Sequence, residues 1–312
     1  MKVLVTGGAG FIGSHVTDGL IASGIEVVVL DNLSSGKRAS VNPRARLWEA
    51  DICGDGLHAF FAQERFDCVD HHAAQMNVRR SVEDPIFDAR VNILGSLNLL
   101  QAAVATGVKK FVFASTGGAI YGEQRTFPAD ETHQTCPMSP YGVAKLAVEK
   151  YLAFYEEVYG LPYTALRYAN VYGPRQDPHG EAGVVAIFSQ QLLAHQAAII
   201  NGDGEQTRDF IYVDDVVRAN VLAVTTDLRG LYNVGTGIET SVNALYASLA
   251  KHASSALSPR HGPSKAGEQR RSVLDCRKLQ GAVNWAPTVF IDEGLRRTVA
   301  YFAAPAPRRK TT

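Results

Sequence analysis

The sequence predicts a doubly wound α/β (Rossmann) fold with a smaller C-terminal α/β lobe, and three observations predict it. Short β-branched runs alternate with longer segments of helical period over the first half of the chain, the pattern of parallel βαβ units. The first run leads straight into a glycine-rich turn, Thr6-Gly7-Gly8-Ala9-Gly10-Phe11-Ile12-Gly13. The regular alternation stops after Asn170, where Gly173-Pro174, Asp177-Pro178 and His179-Gly180 crowd a loop. The boundary therefore falls between 1–170 and 171–312, with freedom for the chain to cross between the lobes.

Taken in order, the strands are Lys2 to Val5, Glu26 to Leu30, Leu47 to Ala50, Cys68 to His71 and Phe111 to Ala114. Phe11 to Ser23, Gly56 to Glu64 and Pro85 to Thr106 lie between them and are long enough to cover a sheet as helices. Right-handed crossovers stack such units into one parallel sheet with helices on both faces. The last stretch, 304–312, holds Pro305, Pro307 and three basic residues and reads as a disordered tail.

Composition narrows the function. A chain of 312 residues with 46% hydrophobic side chains is long enough to bury a full core without staples. Its 31 basic and 31 acidic residues cancel, so no global field holds nucleic acid or an anionic membrane, and an anionic ligand must meet a local site. A small-molecule partner is expected. The cysteines Cys53, Cys68, Cys136 and Cys276 are widely spaced, without a metal or redox pattern, and read as buried apolar side chains. The first residues reach glycine too soon for a signal peptide, and no apolar run approaches a membrane span. A cytoplasmic, reducing location is the expectation.

The glycine turn satisfies G-x-G-x-x-G at Gly8, Gly10 and Gly13 and G-x-x-G-x-x-G at Gly7, Gly10 and Gly13. Glycine there permits a tight turn, lets backbone approach a pyrophosphate, and allows the helix that starts at Phe11 and Ile12 to pack close to the strand. The second strand ends in Asp31, eighteen residues after Gly13, where a carboxylate accepts both ribose hydroxyls of an adenosine and repels a 2′-phosphate. NAD is thus favoured over NADP, with Lys37 and Arg38 read as solvated loop residues. Asp51-Ile52 closes the third strand, where it either flanks an adenine or caps the following helix.

Ser139-Pro140-Tyr141-Gly142-Val143-Ala144-Lys145 supplies a capping serine and an N1 proline, and places Tyr141 and Lys145 one turn apart on a helix face. A phenol titrating near ~10 becomes a usable general base when an ammonium and an oxidised nicotinamide both favour its anion. Upstream, Ser115 and Thr116 end the fifth strand at the carboxyl edge, where open α/β sheets bind ligand. Either hydroxyl can share the proton that Tyr141 takes, and Thr116 is preferred.

These segments resemble the extended short-chain dehydrogenase/reductase family, and most closely its bacterial UDP-glucose 4-epimerases. The matching residues are Thr6 to His15, Asp31 to Gly36, His72-Ala73-Ala74-Gln75 with Ser81 and Pro85, Asn92 with Gly95, and Phe113 to Gly122. Ser139 to Lys145, Leu166 to Pro174, and Gly202-Asp203-Gly204 through Asp215 complete the set. The resemblance implies an NAD-binding domain over 1–170 that carries the catalytic residues, and a sugar-nucleotide lobe formed mainly by 171–312. It implies cofactor contacts from Asn32, Ser35, Gly36, Ala73, Ala74, Gln75, Asn92 and Tyr168, with Lys145 also reaching the nicotinamide ribose. Thr116, Tyr141, Asn170 and Arg208 fall to the UDP-sugar, the arginine clamping its diphosphate. A homodimer paired through Pro85 to Thr106 and Tyr141 to Tyr159 is implied as well.

The implied reaction removes the 4-hydroxyl proton and the C4 hydride, lets the 4-keto sugar turn, and returns the hydride to the other face, with no metal and no net redox change. The alternatives are an epimerase of another nucleotide sugar such as UDP-glucuronate, a nucleotide-sugar dehydrogenase or dehydratase, and a noncatalytic NAD-binding protein. Gly117-Gly118 stands where family dehydratases carry Asp-Glu, which argues against elimination. Lys265 replaces a family arginine and loses its bidentate fork, so Arg270 or Arg271 are candidate substitutes on the diphosphate. Ser272 occupies the position of a bulky tyrosine in some relatives, and its small size predicts room for a 2-acetamido group.

Overall fold

The computed structural model describes residues 1–178, 183–264 and 269–304. The chain opens with β1 (Lys2–Thr6), α1 (Phe11–Ala22), β2 (Glu26–Asp31), β3 (Arg46–Glu49), α2 (Leu57–Glu64) and β4 (Cys68–His71). It continues through α3 (Val78–Glu83), α4 (Pro85–Ala89), a π-helical turn at Arg90–Leu94, α5 (Gly95–Thr106), β5 (Lys110–Thr116), the single-turn α6 (Gly117–Ile120), α7 (Pro140–Tyr159) and β6 (Tyr163–Tyr168). Beyond these come β7 (Asn170–Tyr172), α8 (Val184–Leu193), β8 (Ile199–Asn201), β9 (Thr207–Tyr212), α9 (Val213–Thr225) and β10 (Gly230–Val234). The last elements are β11 (Glu239–Ser241), α10 (Val242–His252), β12 (Arg260–Gly262), β13 (Arg271–Ser272), α11 (Arg277–Ala282) and α12 (Ile291–Ala303).

Seven strands form one sheet in the order β10-β6-β5-β4-β1-β2-β3, and every adjacent pair is parallel. Alternate residues face opposite sides of a strand, so Val3, Val5, Val27 and Val29 meet Val16 and Leu20 of α1 and Val216 and Ala219 of α9. Leu4, Val28, Leu30 and Val69 face the other layer, Phe61 of α2, Leu99 and Leu100 of α5 and Leu152 of α7. Both faces are covered, which explains why these strands read as continuous apolar runs. Succession reverses at β1, with β2 on one side and β4 on the other, and the crevice at the carboxyl ends of β1 and β4 is the switch point.

The chain leaves the sheet where expected, since only Ala169 separates β6 from β7. It then returns: α9 lies on α1 and β10 pairs with β6. Residue 170 is therefore the first crossing between lobes and not a single boundary, because the outer edge of β6 needs a partner strand. In the second lobe β9 is flanked by β11, β13 and β7, and Phe188, Phe210, Tyr212, Leu245 and Leu295 share its core.

Two expectations need correction. The segment Pro85 to Thr106 is helical throughout but breaks into α4, a π turn and α5. Of the four cysteines, Cys68 and Cys276 are buried in the core while Cys53 and Cys136 are exposed. His179 and Gly180 of the predicted loop, and all of the tail except Ala304, lie outside the described residues. Among the described residues no helix is long and apolar enough to cross a membrane.

The return of α9 rests on a close helix crossing. A Cβ at Gly19 of α1 would collide with the Val217 side chain, so Gly19→Val should overpack the contact and destabilise the protein by about 1–3 kcal/mol. Urea denaturation checks this, and an unchanged midpoint would mean that α1 and α9 do not meet at this glycine.

Candidate functional site

The glycine turn forms a cradle at the switch point. Gly7 has φ of 68°, and a Cβ on it would stand 2.6 Å from the Ala73 amide nitrogen, a conformation and an approach open to glycine alone. A Cβ on Gly13 would strike the Gly7 carbonyl, so α1 lies directly against the turn. Gly10 is its N-cap, with no side-chain cap and no acid in the first turn. The Gly10 amide itself donates to the Gly7 carbonyl at 3.0 Å, so the amides of Phe11, Ile12 and Gly13 and the positive end of the dipole are left for an anion. These residues fit a dinucleotide pyrophosphate.

Asp31 is 7% exposed and organises the loops on either side. One carboxylate oxygen accepts from the Ala9 amide at 2.9 Å and the other from Leu33 at 2.8 Å. A carboxylate has about four acceptor positions, so it retains capacity for ribose hydroxyls. Gly36 packs against Ala9 and Asp31, while Asn32 and Ser35 are exposed beside it. Asp51 accepts from Asn32 at 2.9 Å and from the Cys53 amide at 2.8 Å. It closes a turn and does not cap α2, whose N-cap is Gly56. The Ile52 side chain packs in the core: it is 4% exposed, lies under Gly95, and the residue's carbonyl accepts from Asn98 at 2.9 Å.

The turn after β4 is fixed from below. The Ala73 amide donates to Thr6 Oγ1 at 3.1 Å, Thr6 is 2.7 Å from His71 Nδ1, and His71 Nε2 is 2.9 Å from Ser96 Oγ, which donates to the Asn92 carbonyl at 2.6 Å. Only a neutral imidazole with its proton on Nε2 lets each hydroxyl donate once and accept once along this line. Burial holds His71 well below its usual pKa, consistent with that form. Sequence reasoning missed Thr6, His71 and Ser96, whose residue types signal nothing without the fold. Asn92 and Gln75, expected as cofactor contacts, brace the turn with their side chains. The Asn92 amide exchanges hydrogen bonds with the Gln75 backbone at 2.9 Å each way and donates to Asp88 at 2.9 Å. Gln75 folds back onto Asn77 and Asp88. Ala73 and Ala74 remain partly exposed beside Gly7.

α7 begins as the sequence implies, with Ser139 accepting from the Gly142 amide at 3.2 Å and Pro140 at N1. The Lys145 ammonium lies 5.9 Å from the Tyr141 ring centre and 4.6 Å from that of Phe113, and donates to the Ala114 carbonyl at 2.8 Å. Burial lowers Lys145 to about 8, opposed by Asp88 and then Glu149. Burial, with the charge of Asp88 added, raises Tyr141 well above its ordinary value. Burial and Asp88 both favour the protonated phenol, and positive charge beside the ring acts in the opposite direction.

The two hydroxyls at the end of β5 separate. Ser115 is buried and donates to Glu149 at 2.7 Å, whereas Thr116 is partly exposed. A Cβ at Gly118 would lie 3.9 Å from Thr116 Oγ1 and 3.8 Å from Asn170 Oδ1, so both side-chain oxygens lie beside that glycine. Gly117 has a packing reason, because a Cβ there would stand 2.6 Å from Leu274. Tyr168 is corrected from the cofactor set: it is 5% exposed in the core, and its hydroxyl donates to Asn220 of α9 at 2.9 Å.

In the second lobe Ser272 stands opposite Arg208 in the β13·β9 ladder, and Ser272 is 3% exposed. Arg208 donates to the Thr207 carbonyl at 2.8 Å. The candidate substitutes are engaged elsewhere: Arg270 forks onto Asp203 at 2.8 and 3.0 Å, and Arg271 onto Glu239 at 2.9 Å twice. Lys265 lies outside the described residues. Because the Tyr168 hydroxyl points into the core, Tyr168→Phe should leave cofactor retention and turnover within about threefold while costing about 1–3 kcal/mol of stability through the orphaned Asn220. Loss of bound cofactor in that variant would return Tyr168 to the binding set.

Comparison with known proteins agrees with this geometry. The sequence pattern of the NAD dependent epimerase/dehydratase family matches residues 3–235. A UDP-glucose 4-epimerase of Mycolicibacterium smegmatis is 44% identical over 308 residues, covering 97% of this chain and 98% of the relative. A crystal structure of UDP-glucose 4-epimerase from Thermotoga maritima with UDP-glucose aligns with a TM-score of 0.95 at 51% identity, covering 97% of this chain and 98% of that one. The Thermus thermophilus UDP-glucose 4-epimerase in complex with NAD aligns with a TM-score of 0.92 at 47% identity, covering 97% and 99%. The glycine cradle, the Tyr141 and Lys145 helix and these similarities lead to one conclusion: the chain belongs to the NAD-dependent epimerase/dehydratase family.

Proposed function

We propose that the protein interconverts UDP-hexoses at C4, UDP-glucose with UDP-galactose, as an NAD-dependent isomerase. The observation that carries this reading is the placing of Thr116, Tyr141 and Lys145 at the carboxyl edge of the sheet, with the Asn170 and Thr116 side-chain oxygens both beside Gly118. Tyr141 takes the 4-hydroxyl proton, with Thr116 hydrogen-bonded between sugar and phenol and the Lys145 ammonium stabilising the phenolate. NAD, when bound in the glycine cradle, accepts the C4 hydride and gives it back to the opposite face of the 4-keto sugar. Arg208 holds the diphosphate while the keto sugar turns, and Tyr141 returns its proton at the end.

Gly117 and Gly118 offer no acid for elimination, which supports epimerisation over a 4,6-dehydratase. Ser272, small and beside Arg208 in the ladder, supports acceptance of 2-acetamido sugars as well. We place the enzyme in a homodimer, since Val82, Ile86, Leu94, Phe154, Val158 and Tyr159 are large, exposed and apolar on α3 to α5 and α7, and a patch of that kind marks an interface.

Incubation with UDP-galactose, UDP-N-acetylgalactosamine and UDP-glucuronate without added NAD, followed by separation of the nucleotide sugars, tests the reaction. Interconversion of the first two without accumulating NADH is expected; NADH accumulation would mean a dehydrogenase, and no turnover with cofactor bound a sensor. Tyr141→Phe should lose at least ~100-fold in turnover and keep its NAD, and equal activity would remove Tyr141 as the base. Sedimentation velocity should give twice the 33.7 kDa chain mass, and a monomer at micromolar concentration would sink the dimer.

A further inference from the structure

Two buried groups in the site take no part in the chemistry above, Glu149 and Arg167. Glu149 follows Lys145 by one helical turn as Lys145 follows Tyr141, so the three share one stripe of α7. The Glu149 and Arg167 side chains are 2% and 3% exposed. Arg167 grips the carboxylate with both arms of its fork, Nε to Oε1 at 2.9 Å and Nη2 to Oε2 at 2.6 Å. Ser115 donates to the same Oε1 at 2.7 Å and stands opposite Arg167 in the β5·β6 ladder. The other Arg167 arm donates to the Tyr121 hydroxyl at 2.9 Å, which donates to Asn233 of β10 at 2.7 Å. One carboxylate thus accepts three hydrogen bonds and ties the catalytic helix to the ends of two strands.

A buried ion pair is seldom more stabilising than apolar residues of the same shape, so its place under the site calls for another reason. We propose that Glu149 is a positioning residue for the proton transfer: held by Arg167, it draws Ser115 out of the site, leaves Thr116 as the hydroxyl beside Tyr141, and sets a negative charge one helical turn from Lys145 that keeps the ammonium protonated. This rests on the reading of Tyr141 as the base. The groups that face Lys145 are Asp88 from α4, Glu149 and Tyr141 from α7 and the neutral His71 from β4, with Arg167 of β6 lying behind Glu149. Lys145 stands at about 8 because burial outweighs Asp88 and Glu149, the two carboxylates that oppose it. Loss of the charge at Glu149 lets the ammonium deprotonate at a lower pH, and the support for the phenolate goes with it.

Glu149→Gln keeps the shape and an acceptor for Ser115 while removing the charge. The expected result is an alkaline limb of kcat displaced downward by roughly half a pH unit or more, with KM for UDP-galactose unchanged within about twofold and NAD retained. An alkaline limb at the wild-type position, or a raised KM with unchanged kcat, overturns the proposal. If the variant fails to fold because Arg167 is left unpaired, Glu149→Gln with Arg167→Gln strands no charge and must show the same displaced limb. Tyr141→Phe run alongside separates the two readings: if it stays active the base assignment itself fails, whereas an inactive Tyr141→Phe with an unmoved limb in Glu149→Gln removes only the role of Glu149.

Discussion

The architecture depends on one close approach, the turn after β1 passing against the backbone after β4. Gly7 meets the Ala73 amide where no side chain fits, and this brings the ends of two strands close enough to form one crevice. The line of hydrogen bonds from Ala73 through Thr6, His71 and Ser96 to Asn92 locks that approach from inside the sheet. It is a buried polar chain with every member satisfied, which makes it rigid and intolerant of partial loss. The cofactor cradle, the channel wall and the π turn bearing Asn92 are therefore one mechanical unit.

Charge in the site is arranged around Lys145. A cation in a dry environment sheds its proton readily, and here burial outweighs the two neighbouring carboxylates, leaving Lys145 at about 8. Asp88 and Glu149 compensate from two sides, each held by neutral or cationic donors so that neither collapses onto the ammonium. The neutral total of the chain conceals this local order. The helix terminus at Gly10 and the buried Lys145 are local positive features within a chain of zero net charge.

Much of the fold and part of the site were legible beforehand. The glycine spacing, Asp31 after the second strand, the Ser139-Pro140 start of α7 and the stripe of Tyr141 and Lys145 are local features, encoded by backbone conformation and helical period. Where the reading stopped short, the missing quantity was direction. Tyr168, Ile52 and Asn92 lie in segments that do border the crevice, yet their side chains turn into the core or onto neighbouring backbone, and one-dimensional order does not say which face of a strand is wet when both faces are buried.

The sequence by itself determined the wound sheet, the glycine turn and the helix that carries Tyr141 and Lys145, because each arises from contacts among residues close in the chain. Only the tertiary structure decided that β10 and α9 return to the first lobe, that Ser272 stands beside Arg208, and that Ser115 belongs to Glu149 while Thr116 faces the site. Those choices rest on pairings between residues far apart in sequence, such as Arg167 with Glu149 and β10 with β6. Their energies come from packing and desolvation, which exist only after the chain has folded.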